Sequence, residues 1–122
     1  MSRHDPIIKL RHMLDYAQRA ILLMGAASRE AFASSMMQQM AEERAVELVG
    51  EAACQVPKSV REALPAIPWA DIIGMRHRLI HDYDGTNVDK LYDTVVEDLP
   101  VLIRQLTEFL SRPDLSTFSS EG

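Results

Sequence analysis

Apolar residues recur every three or four positions along most of this chain, and that spacing is what most narrows the folds open to it. In the first such segment the apolar positions are Ile7, Leu10, Leu14, Ala17, Ile21 and Met24. Asp5 and Pro6 precede the segment and Gly25 follows it, and these residue types are usual at the two ends of a helix. No segment shows the alternation of a half-buried strand. The sequence therefore predicts an all-α protein.

Caps and helix breakers divide the rest of the chain. They predict a short helix over 29–34, a longer helix between Ser35 and Pro57, one or two turns over 58–64, a helix over about 70–83 and a last helix over 88–110. Ser35 with Gln38 forms a capping-box pattern. Pro100 should kink the last helix because it removes one backbone hydrogen bond. We expect an antiparallel four- to five-helix bundle, with one domain over 1–115 and a flexible polar tail over 116–122.

Composition and charge limit the classes of function. The chain has 122 residues, of which 47% are hydrophobic and 25% charged, which is typical of one globular domain and excludes a disordered chain or a disulfide scaffold. The formal net charge of −5 does not attract nucleic acid, so any RNA site must be local. The single cysteine, Cys54, is expected in the core, and no apolar run is long enough for a membrane span. We expect a cytoplasmic protein.

The helix predicted over 70–83 carries an arginine within its apolar stripe. The stripe is defined by Ile72, Ile73, Met75, Leu79 and Ile80. At 100° per residue, Arg76 and Tyr83 fall near its centre. A buried guanidinium must be paired or hydrogen-bonded, because otherwise it costs several kcal/mol. Arg76 therefore either has an internal acidic partner or lies where the stripe opens into a cleft that could bind an anion.

A histidine follows this arginine at a distance that suits phosphate chemistry. His81 lies five residues after Arg76 and about 140° further round the helix. A neutral histidine can take the proton of a ribose 2′-hydroxyl. A neighbouring arginine can stabilise the charge on the phosphorus oxygens. The pair indicates cleavage of an RNA phosphodiester as one candidate activity.

The motif Arg76-x4-His81-x-Tyr83 resembles the Arg-x4-His-x-Tyr signature of HepT-like toxins, a branch of the HEPN superfamily. Three further elements resemble that family in the same order: Val49–Ala53, the run from Ile67 to Arg76, and Asp98–Pro100. The similarity spans roughly residues 5–110. The Arg-x4-His pattern alone occurs by chance, whereas four elements in order are much more specific.

The resemblance implies a metal-independent endoribonuclease whose two protomers pair so that their motifs face one cleft. It implies that Arg76 and His81 are catalytic and that His77, where HepT-like members commonly have asparagine, and Tyr83 support the site. Tyr83 matches the tyrosine that a nucleotidyltransferase antitoxin of the MNT type modifies with AMP. The implied partners are thus a second copy, this antitoxin and RNA, with no membrane. No cofactor is implied, and the chain has no glycine-rich phosphate loop with which to bind ATP itself.

Several alternatives remain open from the residues. His77 and His81 are spaced so that both could bind one metal ion, with Asp84 or Glu51 as a third ligand, although the His-Glu-x-x-His pattern is absent. Glu51 is either a solvated charge or a partner of Arg76. Gly50 weakens a helix interior and suggests a close approach of two helices. A different class of function is a non-catalytic helical adaptor that partners a nucleotidyltransferase, which the acidic charge also fits.

Overall fold

A computed structural model describes residues 5–81 and 87–112, and this part of the chain is helical, without strands. The helices are α1 (Pro6–Met24), α2 (Arg29–Ala33), α3 (Met36–Cys54), α4 (Lys58–Ala63), α5 (Trp69–His81), α6 (Val88–Asp93) and α7 (Leu99–Leu110), with a π-helical segment, Thr94–Asp98, between α6 and α7. The predicted all-α bundle is confirmed. The predicted tail over 116–122 and the domain boundary at 115 lie outside the described residues.

The predicted caps form at the helix starts. The Asp5 carboxylate accepts the Ile7 N–H at 2.9 Å, and the Ser35 hydroxyl accepts the Gln38 N–H at 3.1 Å. Such caps each stabilise a helix by about 1 kcal/mol. The Gln38 side chain, however, donates to the Leu23 carbonyl at 3.0 Å. It thereby ties the start of α3 to the end of α1.

The interruption predicted at Pro100 takes the form of a π-helical segment. Pro100 lies in the first turn of α7, directly after this segment. The Leu99 N–H donates to the carbonyl of Thr94, five residues back. A wider turn of this kind is where a helix can accommodate a residue that breaks the ordinary hydrogen-bond ladder.

The helices pack around α1 and α3. Helix α1 packs against both α3 and α7, whereas α5 packs chiefly against α3. Consequently no side chain between Ala70 and His77 is fully buried, and the described residues of the predicted apolar stripe, Ile72, Ile73 and Met75, are half-buried. A groove of about 600 Å³ runs beside α5, lined by Ile72 and Met75 on one side and by Leu99 and Leu102 on the other. Helix α5 is thus an edge helix, open along part of its length.

The prediction that Cys54 lies in the core is wrong. Cys54 is the last residue of α3 and is exposed, whereas the preceding Ala53 is fully buried. Within the described ranges, no helix is both long and apolar enough to cross a membrane.

A pair of short helices is joined by one arginine. The Arg29 guanidinium of α2 lies 3.2 Å from Asp89 and 2.6 Å from Asp93, both in α6. The same guanidinium lies over the Tyr92 ring, 4.7 Å from its centroid, and the Tyr92 hydroxyl donates to the Ala27 carbonyl. These contacts orient α6 against α2.

Glu42 is a carboxylic acid in the core. It lies on α3, is 0% exposed, and neither carboxyl oxygen has a hydrogen-bond partner among the described residues. Burial raises the pKa of Glu42 from 4.5 to about 7. The protonated, neutral form is therefore favoured in the folded protein well above the usual range of a glutamate.

We expect this acid to make folding pH-dependent. A raised pKa means that the folded state binds the proton more tightly, so its contribution is fully present below about pH 4.5 and is lost as the pH rises to about 7. The loss is roughly 3 kcal/mol. Glu42→Gln should therefore exceed the wild type in free energy of unfolding at pH 8 but match it near pH 4.5, as measured by urea unfolding.

Glu62→Gln is the matched control, because Glu62 is exposed on a short helix and should not change this pH dependence. Parallel curves for the wild type and Glu42→Gln across the whole pH range would contradict the assignment of Glu42.

Candidate active site

Helix α5 carries the candidate motif, and its start is fixed by backbone and side-chain hydrogen bonds. The Trp69 indole N–H donates to the Leu64 carbonyl at 3.1 Å, and the Ile72 N–H donates to the Pro68 carbonyl at 3.1 Å. Pro68 precedes the helix, where a proline costs no helical hydrogen bond. Trp69 is the first residue of α5, so the helix begins one residue before the predicted start.

Helices α3 and α5 approach each other closely where Gly50 of α3 faces Arg76 of α5. A Cβ atom built on Gly50 of α3 would lie 2.6 Å from the Arg76 Cβ, 3.4 Å from the Arg76 Cγ and 3.1 Å from the Ile72 carbonyl oxygen. The stem of Arg76 thus rests on bare backbone. The close helix approach suggested by Gly50 is confirmed.

The described neighbours of Arg76 bear on the two alternatives that the sequence left open. Arg76 is half-buried, and its Nε atom is buried without a hydrogen-bond partner. The ion pairs of the described residues join Arg19 to Asp15, Arg29 to Asp89 and Asp93, and Arg44 to Glu47. None of them involves Arg76. Within ranges 5–81 and 87–112, the internal acidic partner is therefore absent, which favours the open cleft.

Glu51 was the acidic residue considered as a partner for Arg76. It is half-buried on α3 and forms no ion pair with Arg76 in the part of the chain that the structure describes. Its neighbour Gly50 lies against the stem of Arg76. The sequence signal for this contact was the glycine inside a helix.

The remaining motif residues are placed as follows. His77 is exposed on α5, and His81 is the last residue of that helix. Along a regular helix, five residues correspond to a rise of about 7.5 Å, so one ligand the size of a nucleotide can span Arg76 and His81. Tyr83 and Asp84 lie outside the described residues. The joint action of Arg76 and His81 stays a prediction.

The metal alternative requires several ligating side chains to lie close together. Among the side chains that the structure places, no group of three or more histidine, cysteine, aspartate or glutamate side chains is arranged to hold a metal ion. Of the ligands in the metal hypothesis, the His81 side chain and Asp84, one of the two alternatives for the third ligand, are not in this set.

The arrangement at Arg76 can bind an anion. A guanidinium carries five N–H donors, accepts no hydrogen bond and keeps its charge at any physiological pH. Its stem is held between α3 and α5, and no described carboxylate neutralises it. A phosphate group that approached this side of α5 would supply both the charge and the acceptors that the protein does not.

Comparison with known proteins agrees with this chemistry. The family described as Ribonuclease HepT-like matches residues 13–109. A protein of Caldanaerobacter subterraneus subsp. tengcongensis named "Putative RNase" is 34% identical over 103 residues, covering 84% of this chain and 92% of that protein. A Methanocaldococcus jannaschii protein, also named "Putative RNase", is 31% identical over 106 residues, covering 87% and 97%.

A third similar protein carries the family name itself. The "Probable ribonuclease HepT" of Thermococcus cleftensis is 41% identical over 73 residues, covering 60% of this chain and 66% of that protein. No solved structure matches the chain.

We expect Arg76 to lower the free energy of unfolding of the protein. Arg76→Met preserves an unbranched stem against Gly50 and removes the unpartnered Nε donor, whose burial costs about 1–3 kcal/mol. The free energy of unfolding, measured in urea, should therefore equal or exceed that of the wild type. Arg29→Met is the control and should be less stable, because it removes two ion pairs. A clear loss of stability in Arg76→Met would reveal a stabilising partner for the guanidinium.

Proposed function

Because the chain belongs to the HepT-like ribonuclease family, we propose that it is a metal-independent endoribonuclease and the toxin of a toxin–antitoxin pair. The observation that carries the proposal is the half-buried guanidinium of Arg76, which no described carboxylate neutralises, on an edge helix. Such a cation is suited to an anionic substrate that comes from outside the domain. The same proposal places the protein in the cytoplasm, where the RNA is.

The proposed reaction uses two residues of α5. His81 takes the proton of a ribose 2′-hydroxyl, whose oxygen attacks the adjacent phosphorus while the bond to the 5′-oxygen breaks and that oxygen takes up a proton from water. Arg76 stabilises the negative charge that develops on the phosphorus oxygens. The products are a 2′,3′-cyclic phosphate, or the 3′-phosphate formed from it by water, and a 5′-hydroxyl end. His77 and Tyr83 line the site.

A homodimer would complete this site. Helix α5 has α3 as its main neighbour, and its described side chains stay half-buried or exposed. A second copy that packs against the open side of α5 would bring two motifs together and enclose the RNA. Removal of water from such a cleft strengthens the attraction between Arg76 and a phosphate.

The proposed regulation acts on Tyr83. A cognate MNT-type nucleotidyltransferase would transfer AMP from ATP to the Tyr83 hydroxyl. The added group carries a negative charge two residues beyond His81, and it would occupy the place of the RNA phosphate beside Arg76. The modified toxin would then be inactive because substrate and modification compete for one cation.

The catalytic assignment is tested by cleavage of a labelled RNA pool in EDTA. Intact mass first establishes that Tyr83 is unmodified. We expect cleavage by the wild type, a loss of about 10²–10⁴-fold in His81→Ala, and a loss of about 10²–10³-fold in Arg76→Ala. His12→Ala is the matched control, because His12 is exposed on α1, and it should cleave like the wild type.

Two results would contradict this assignment. Equal cleavage by the wild type and His81→Ala would show that His81 is not the base. Absence of cleavage by the unmodified wild type would favour the non-catalytic adaptor that partners a nucleotidyltransferase.

The regulatory assignment is tested with a purified MNT-type nucleotidyltransferase and ATP. The wild type should gain the mass of one AMP group and lose cleavage, whereas Tyr83→Phe should keep both its mass and its activity. Tyr16→Phe and Tyr92→Phe are the controls and should be modified like the wild type. Modification of Tyr83→Phe would place the target on another tyrosine.

A further inference from the structure

Gly50 is the position on α3 where a side chain would collide with the candidate catalytic arginine. A Cβ atom there would be 2.6 Å from the Arg76 Cβ, and real Cβ atoms essentially never approach another atom that closely. The second contact, at 3.1 Å, is the Ile72 carbonyl oxygen, which is backbone. Neither neighbour can rotate aside as the end of a long side chain would. Any residue larger than glycine therefore requires α5 itself to move.

The conformation of Gly50 does not require glycine. Among the described glycines a positive φ angle occurs at Gly25, which ends α1, whereas Gly50 lies inside α3 with a negative φ. Glycine weakens a helix interior relative to alanine. The property of Gly50 that the structure uses is thus its missing side chain, and the use is the approach of Arg76.

This approach acts on the direction of the guanidinium. Both the Cβ and the Cγ of Arg76 face the bare backbone at Gly50, so α3 limits the first torsion of the side chain, which places the Cγ. The Nε atom beyond them is buried without a partner in the described part of the chain. A stem held in this way reduces the rotamer freedom that is lost when the guanidinium binds a phosphate.

We propose that Gly50 is a positioning residue that aims Arg76 at the scissile phosphate, a role that rests on the function proposed above. Alanine at this position requires a displacement of about 0.8 Å to bring 2.6 Å to ordinary contact at 3.4 Å. A misplacement near 1 Å in an active site can reduce the rate about 100-fold. The effect falls on the bond-breaking step more than on RNA binding, because the additional negative charge on the phosphorus oxygens develops only in that step.

The first test compares Gly50→Ala with Val60→Ala. Val60 is buried on α4, a different helix from those of Gly50 and Arg76, so its truncation destabilises the fold and removes none of the atoms that face Gly50. We expect kcat of Gly50→Ala to fall about 10- to 100-fold, with KM within about threefold of the wild-type value. At temperatures where Val60→Ala is folded, its kcat should equal that of the wild type. A Gly50→Ala kcat within twofold of the wild type would overturn the proposal.

The second test needs no cleavage and no variant that fails to fold. Relaxation of the ¹⁵Nε signals in the wild-type protein without RNA reports the order of each arginine side chain. Arg76 should be ordered, whereas Arg104, an exposed arginine on α7, should be mobile. Equal mobility of the two signals would overturn the proposal.

The third test is a double-mutant cycle on the unfolding equilibrium. Gly50→Ala should raise the unfolding equilibrium constant at least tenfold in the wild type and by clearly less in Arg76→Gly, which lacks the colliding Cβ but keeps the Ile72 carbonyl. Equal effects in both backgrounds would show that the contact is not the cause. If the wild type does not cleave RNA, the proposed function fails, while the second and third tests still decide whether Gly50 holds Arg76.

Discussion

The contact between α3 and α5 is the interaction on which the candidate site depends. Helix α1 packs against both α3 and α7, but α5 has α3 as its main support. The distance of α5 from the rest of the bundle is therefore set by the residues of α3 that face it. At the level of Arg76, α3 presents the backbone of Gly50. The position of the guanidinium is thus decided on a helix that carries none of the motif.

Two buried polar groups without described partners have different meanings in this protein. Glu42 is fully buried, and loss of its charge by protonation is the available relief, which the raised pKa reflects. Arg76 cannot lose its charge in this way, because a guanidinium stays protonated. It is instead placed where the bundle is open. Protein sites that lower stability without an internal compensation are commonly sites that an external ligand completes.

Much of the fold could be predicted from the sequence, because local residue patterns determine where the helices begin and end. Asp5, Ser28 and Ser35 cap helices, and Gly25 and Pro57 mark helix ends, as the spacing of apolar residues and the chemistry of caps indicated. The degree of burial of α5 could not be predicted. Its stripe is apolar enough for a core helix, but burial depends on how many neighbours a helix has. That number is a property of the tertiary packing.

Only part of the candidate site could be predicted from the sequence. Arg76 could be identified because a cation within an apolar stripe is visible on a helical wheel, and Gly50 because glycine is unusual inside a helix. That the two touch could not be predicted, since the register between two helices is not contained in either one. Glu42 was missed, although the same wheel places it beside Ala45 and Val49 on the buried face of α3. Among acidic neighbours such as Glu43, it looks like part of a solvated run.

The π-helical segment also fixes the direction in which α6 faces. One extra residue in a turn rotates everything before it by about 100° relative to a continuous α-helix. Asp89, Tyr92 and Asp93 meet Arg29 of α2 with that offset in place. Deletion of a single residue within Thr94–Asp98 would restore the ordinary ladder and turn this polar face away from α2. Related chains could therefore exchange the partner of α6 through a one-residue change in length, without altering any side chain that makes the contact.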